Sequence, residues 1–359
     1  MQRCTGSVYR ASSSLPAACG NGEFMAATLH DVARMAGVSI KTVSNVVNGY
    51  AQIRPSTKSR VLDAIAALNY KPNMVARNLR VGRMGVIGFI MPDLRNPYFA
   101  ELAGEVMRAA DVHGLAVLIE QVKGDRESEI AALHGSRMQM TDGILYSALA
   151  LSQADTDLIM IDTPMVLLGE RIFKGPTDHV TMQNVEGAKA ATQHLLDIGR
   201  TRILALGAHE GEVVGSAGLR LEGYREALSD AGIEYDERLV RHTGTWHRAD
   251  GARIMREAIK ERLQFDAVFG FNDSLALGAM RVLQEEGIHI PSDVAVIGFD
   301  DIDETRYSSP TLTTINPGRS EIAIRAVEAL VERMSGSAPI APREITVAFN
   351  LIIRESTSK

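Results

Sequence analysis

From Gly85 onward the chain repeats one arrangement: a short aliphatic run, then a longer stretch with apolar residues at helical spacing. The runs are VIGFIM (86–91), LAVLIE (115–120), GILYSA (143–148), MVLLGE (165–170), ILALGA (203–208), AVFGF (267–271) and VAVIGFD (294–300). Their near-unbroken apolarity leaves no wet face, so they belong in parallel sheets buried on both sides. Parallel neighbours need long crossovers, and the intervening helical stretches supply them. A break near GPTDHVTMQNVEGA (175–188) separates the first four runs from the rest and predicts two similar lobes.

Residues 28–80 carry a different pattern. One short helix is predicted around Asp31 to Met35, a second capped by Ser39, and a third capped by Ser56 after Pro55 and running through Val61, Ile65 and Leu68. Gly37 lies in the turn between the first two, and the small Ala33 lets them approach. In the second helix Val43, Val46 and Val47 share one stripe, leaving Ile40, Lys41, Ser44, Asn45 and Asn48 elsewhere. After Tyr70, Pro72 ends the third helix. Asn73 opens a short segment with Val75, Ala76 and Leu79 on one side and Arg77 and Arg80 beside them.

Charge separates the two regions. Residues 28–83 hold nine Lys/Arg against Asp31 and Asp63, giving +7; residues 1–27 give +1, so the whole-chain −6 leaves −14 for residues 84–359. A basic head on an acidic body fits a head that meets a polyanion. On helix-turn-helix spacing, Ile40, Lys41 and Asn45 would face base edges, and Ser39, Thr42 and Ser44 would serve phosphates. Spacing alone also fits a plain three-helix cap with a solvated face.

In the body, ligands are expected at the carboxyl ends of strands, between the lobes. Asn96, Tyr98 and Phe99 follow the first run, Arg220 enters a helix after ILALGA, and GTWHRADG holds Trp246, the only tryptophan. Asn272 follows AVFGF, and Asp300 ends VAVIGFD. Taken singly, Tyr98, Phe99 and Trp246 could equally be packing residues. Asp273 reads as a helix cap, and Asp301 and Asp303 as a solvated loop. No metal site or cofactor is expected. GxSxG, HExxH and phosphate-loop patterns are missing, and GSAG (215–218) is no nucleophile elbow, so no reaction is proposed.

The segments TLHDVARMAGVSIKTVSNVVNG and LNYKPNMVARNLRVG resemble the DNA-binding head and hinge of the LacI/GalR family of bacterial transcription repressors, and the resemblance extends almost to the C-terminus. It implies an α/β fold: a two-lobed, parallel-sheet core of the periplasmic-binding-protein kind with an N-terminal all-α helix-turn-helix domain. It implies a homodimeric repressor on double-stranded operator DNA. In that family the hinge helices pair in the minor groove, Leu79 matches a leucine that wedges into and kinks the central base step, and Arg80 matches a basic position that reaches the minor groove, with Arg77 beside it also taken as DNA-binding. Positions matching Tyr98/Phe99, Arg220, Trp246, Asn272 and Asp300 commonly hold the effector, a sugar or sometimes a purine. Where the family often has Asp-Asn and a His, this chain has Gln183-Asn184 and Arg200, both taken to lie near the lobe hinge.

The expected organisation is a disordered extension (1–27), helix-turn-helix domain (28–72), hinge and linker (73–83) and effector domain (84–359). The first lobe would comprise about 84–183 and 316–344, the second about 184–315 and 345–359. Met25 is a candidate start. Cys4 and Cys19 are the only cysteines, and no run approaches the roughly 20 apolar residues of a membrane span. A cytoplasmic, nucleoid-associated location is expected, and a transport solute-binding protein is the less favoured reading.

Overall fold

The computed structural model describes residues 27–47, 50, 52–70, 83–336 and 341–358. The expected N-terminal extension up to residue 26, and Asn48, Arg77, Leu79 and Arg80, lie outside the described residues. Contacts divide the chain into a head up to Val81 and a body from Gly82.

In the head, α1 (Leu29–Ala36) starts at Thr28, whose hydroxyl accepts from the Asp31 backbone while the Asp31 carboxylate accepts from Thr28, a reciprocal capping box. It ends at Gly37, φ +63, the left-handed conformation a side chain resists. Ser39 then caps α2 (Ile40–Val47) by accepting from the Thr42 N–H at 3.1 Å. The third helix, α3 (Pro55–Ala67), corrects an expectation: Arg54 is its N-cap residue and Pro55 its first turn, so Ser56 lies inside the helix. Proline suits that position because its missing N–H would have no partner there anyway. Val32, Ala33, Ala36, Val43, Val46, Val61, Ala64 and Tyr70 form the core of the head.

The body holds two six-stranded sheets. The first contains β1 (Val86–Met91), β2 (Ala116–Gln121), β3 (Gly143–Ser147), β4 (Met165–Leu168), β5 (Asp178–Met182) and β11 (Glu344–Val347), in the spatial order β11-β5-β4-β3-β1-β2, all neighbours parallel. The second contains β6 (Ile203–Ala208), β7 (Val240–His242), β8 (Ala267–Gly270), β9 (Ala295–Phe299), β10 (Thr313–Asn316) and β12 (Asn350–Ile352), in the order β12-β10-β9-β8-β6-β7, antiparallel only at β10–β12. The connecting helices are α4 (Pro97–Val112), α5 (Arg126–Leu133), α6 (Asn184–Asp197), α7 (Ser216–Asp230), α8 (Arg248–Lys260), α9 (Asp273–Glu285) and α10 (Arg319–Met334). Helices α8 and α9 meet through Gly251 and Gly278. A methyl on either would lie within about 2 Å of a backbone oxygen of the other helix.

Two expectations are corrected. The break at 175–188 contains β5, a buried strand of the first sheet. Its polar start disguised it: Asp178 is buried against Arg333 and Arg343, and His179 against Glu344, partners more than 150 residues away. The last lobe boundary falls after Val347 and not at 344/345, because β11 pairs in parallel with β5. The chain therefore crosses between lobes at Gln183, at Pro317–Gly318 and at Ala348–Phe349. Gly318 has φ +77, and a side chain there would meet Val347 and Ala348 of the neighbouring crossing.

Candidate functional site

On the head, α2 turns Val43 and Val46 into the core, while Ser39, Ile40 and Lys41 are exposed and Asn45 is half-buried. The hydroxyls of Ser39 and Thr42 are 2.9 Å apart and share a hydrogen bond, so both help define the helix start.

In the body, a cavity of about 200 Å³ opens between the sheets. It is built from carboxyl-terminal strand ends: Asp93 after β1, Ser147 to Leu149 at β3, Gly169 to Arg171 after β4, Thr181 and Met182 of β5, His209 after β6, Thr245 to His247 after β7 and Asp300 after β9. Asn96, Tyr98, Phe99, Arg220, Trp246 and Asp300, named from sequence, all line it. Asn96 also caps α4, accepting from the Tyr98 N–H at 3.2 Å, which directs Tyr98 and Phe99 to the cavity with their rings edge to face, 5.3 Å apart.

Asn272 departs from expectation: it is buried outside the lining, and both ends of its carboxamide are used. Its oxygen accepts from the Leu275 N–H at 2.8 Å, capping α9, and its nitrogen donates to the Trp246 carbonyl at 3.1 Å. Asn272 therefore positions Trp246. The indole N–H of Trp246 donates to the Gly207 carbonyl at 2.9 Å, fixing the ring from a second side.

Arg220 is almost wholly buried. Its guanidinium lies 3.7 Å from the Phe299 ring centre and 5.2 Å from that of Trp246, donates to Asn184 Oδ1 at 2.8 Å and to the Phe271 carbonyl, and stands 3.6 Å from the Asp300 carboxylate. Asn184, which follows the family-atypical Gln183, thus supplies an Arg220 partner. Arg200, by contrast, is away from the hinge, donating to the carbonyls of Pro291, Ser292 and Asp293. Asp300 has φ +117, a costly conformation for a non-glycine residue, held by its N–H donating to Ile315 O and by Arg319 donating to its carbonyl, both at 2.8 Å. Burial pushes its carboxyl up to about 7 against the pull of Arg220 and Arg319, and the negative charge of Glu170 and Glu101 adds to the rise.

Two neighbouring carboxylates also correct the sequence reading. Asp273 does not cap α9. It is fully buried, accepts from Thr314 Oγ1 and the Ile302 N–H, and is held well above the usual carboxylate range by burial and then by Asp300. Asp301 is no solvated loop residue: it is buried and pairs with Arg354 at 2.6 Å and Asn316 at 2.9 Å.

Sequence reasoning missed several lining residues. Glu170 is buried, with Ser216 Oγ donating to it at 2.5 Å and Thr181 Oγ1 at 3.5 Å. Arg171 donates to Leu149 O and Val214 O and lies 3.3 Å from Glu212, which His209 contacts at 2.9 Å. Against the opposing effect of burial, His209 and Arg171 hold Glu212 below its ordinary value. His247 lies 3.3 Å from Asp93. The Glu170–Ser216, Arg171–Val214 and Asp93–His247 contacts each join one lobe to the other. Glu170 and Arg171 directly follow MVLLG, so the strand-end signal that found Asp300 was available for them too.

Comparisons with known proteins agree with this geometry. Residues 28–73 match the family described as bacterial regulatory proteins, lacI family, and residues 192–357 match the periplasmic binding protein-like domain. The HTH-type transcriptional repressor PurR of Mannheimia succiniciproducens is 33% identical over 336 residues, 93% of this chain and 99% of the relative. The chain belongs to the LacI family. Among solved structures, a LacI-family regulator from Sanguibacter keddieii is 48% identical with a TM-score of 0.72, covering 77% of this chain and 100% of its own. The Lac repressor dimer bound to operator and the anti-inducer ONPF is 27% identical with a TM-score of 0.77, covering 92% and 99%. As a LacI-family member the chain is a DNA-binding transcriptional repressor and not an enzyme. Among its described residues no helix is long and apolar enough to cross a membrane.

Proposed function

We propose that this LacI-family repressor works in the cytoplasm, at the nucleoid, as a homodimer on a pseudo-palindromic operator, and that a sugar in the interlobe cavity changes its grip on DNA. Ile40, Lys41 and Asn45 read base edges, Ile40 by apolar contact with a thymine methyl, while Ser39, Thr42 and Ser44 serve phosphates. Arg77, Leu79 and Arg80 act at the centre of the site, Leu79 as the wedge. The effector is held by Asn96, Tyr98, Phe99, Arg220, Trp246 and Asp300, with Asn272 behind Trp246. The observation that carries the sugar reading is the pairing of aromatic rings, Phe99 and Trp246, with fixed carboxylates, Glu170 and Asp300, in one small cavity. Apolar sugar faces stack on rings, and hydroxyls donate to carboxylates. The same rings can stack a purine, which favours a purine or nucleoside co-repressor as the second reading.

Since effector and operator act on one set of conformations, each must change the other's affinity by the same factor. Selecting duplexes from a random DNA pool, with sugars and nucleobases added in turn, tests this. An enriched palindrome released or strengthened by one compound supports the proposal. No enrichment under any condition refutes the DNA-reading assignment.

A further inference from the structure

The charges lining the cavity do not balance. Four carboxylates face it, from Asp93, Glu170, Glu212 and Asp300; among the described lining residues the full cations are Arg171 and Arg220. Both guanidiniums are already engaged. Arg171 holds Leu149 O, Val214 O and Glu212, and Arg220 holds Asn184, Phe271 O and the flank of Asp300 while its faces lie against Phe299 and Trp246. Glu170 is 6% exposed, and its bonding partners are the hydroxyls of Ser216 and Thr181. The Asp93 carboxylate is shared by Arg95 and His247. Four carboxylates thus stand against two guanidiniums that both have protein partners. In a site partly enclosed by protein, these charges act through a lower effective dielectric than bulk water. At about 200 Å³ the space also falls below the ~300 Å³ at which pockets begin to take drug-sized ligands.

We infer that the effector is an uncharged or cationic polyhydroxyl compound about one ring in size, lacking phosphate and carboxylate, whose hydroxyl or ammonium donors meet Glu170 and Asp300. This rests on the reading of the cavity as a sugar-effector site and adds the charge class. A phosphorylated or oxidised form of the same sugar brings like charge towards Glu170 and Asp300, where both guanidiniums of the lining already have protein partners. One such pair roughly 6 Å apart, at an effective dielectric of ~20, weakens binding about 100-fold.

The test is calorimetry and thermal shift on the full chain with D-ribose, D-glucose and D-galactose, their terminal phosphates, their uronates or aldonates, and D-glucosamine and D-galactosamine. Binding confined to neutral and amino sugars, with the phosphate of the best binder at least about 100-fold weaker, supports the inference. A phosphate or carboxylate form that equals or exceeds its parent overturns it while leaving the sugar-effector reading standing. No response to any member overturns that reading and the inference together. In Glu170→Gln, the ratio of parent to phosphate affinity should narrow by about tenfold or more as one like charge is removed; an unchanged ratio removes Glu170 from the explanation. The wild-type panel decides the matter without relying on the variant.

Discussion

Asp178 offers the most quantitative check on how the site is supported. It begins β5, the strand that carries Thr181 and Met182 to the cavity, and its side chain is completely buried. Arg333 Nε donates to it at 2.8 Å, and Arg343 donates through its backbone N–H at 2.8 Å, Nε at 3.1 Å and Nη2 at 2.8 Å. Burial alone would raise the carboxyl; these bonds overcome that and lower it to about 2. Lowered from an ordinary value of 3.8, the ionised carboxyl stabilises the fold by about 2 kcal/mol at neutral pH. Because the folded value is the lower one, this contribution is complete above about pH 4 and disappears as pH falls through 2; about half of it is gone at pH 3. Asp178→Asn removes the charge and leaves two guanidiniums facing an amide, costing about 3–5 kcal/mol at pH 7. Urea denaturation of both proteins at pH 7, 4 and 3 measures this, with the gap expected to shrink by about 1 kcal/mol between pH 7 and pH 3. A gap below about 1 kcal/mol at pH 7, or one that does not narrow on acidification, would refute the account of Asp178 as a buried, ionised anchor.

Asn272→Asp keeps the cap on α9 but faces the Trp246 carbonyl with an acceptor, whereas Asn272→Ala loses both bonds. The alanine variant should be less stable by about 2–3 kcal/mol, lowering the melting temperature by several degrees, and the aspartate variant, which keeps the cap but buries a carboxylate against the Trp246 carbonyl, should lose at least as much; equal melting temperatures for all three would contradict the positioning role. Trp246→Ala should abolish the response of operator binding to effector while leaving operator affinity in place, as measured by fluorescence anisotropy of labelled duplex; retained response would make Trp246 a packing residue. Lys41→Ala should relax preference at one base pair of each half-site by about 1–3 kcal/mol in competition assays; a uniform loss across all sequences would make Lys41 a phosphate contact.

Most strands and the head were legible because their determinants are local. VIGFIM, GILYSA, ILALGA and VAVIGFD became β1, β3, β6 and β9 because strands buried on both faces must be apolar along their length. Gly37 and Ser39 announced a tight turn and a cap because left-handed backbone and N-terminal donors are satisfied within a few residues. DHVTM did not announce β5, since Asp178 and His179 are admitted to the interior only by Arg333, Arg343 and Glu344, which arrive from the far end of the chain. Likewise β11 and β12 lie three residues apart yet join different sheets, and pairing with β5 and β10 decides which.

The site divides along the same line. Strand ends and the family resemblance marked Tyr98, Phe99, Arg220, Trp246 and Asp300 as facing a ligand. Asn272, of the same residue class and also at a strand end, faces inward because helix α9 and the Trp246 loop claim its whole carboxamide. The sequence by itself determined the two-lobed α/β body, the three short helices of the head and the region of the chain from which the cavity is drawn, since these depend on short-range periodicity and turn chemistry; the helix-turn-helix reading of the head needed the charge split and the family resemblance as well. Only the tertiary structure decided which carboxylates are paired with cations and which, like Glu170, are met by hydroxyls, because charge compensation depends on distances between residues that the chain order keeps far apart.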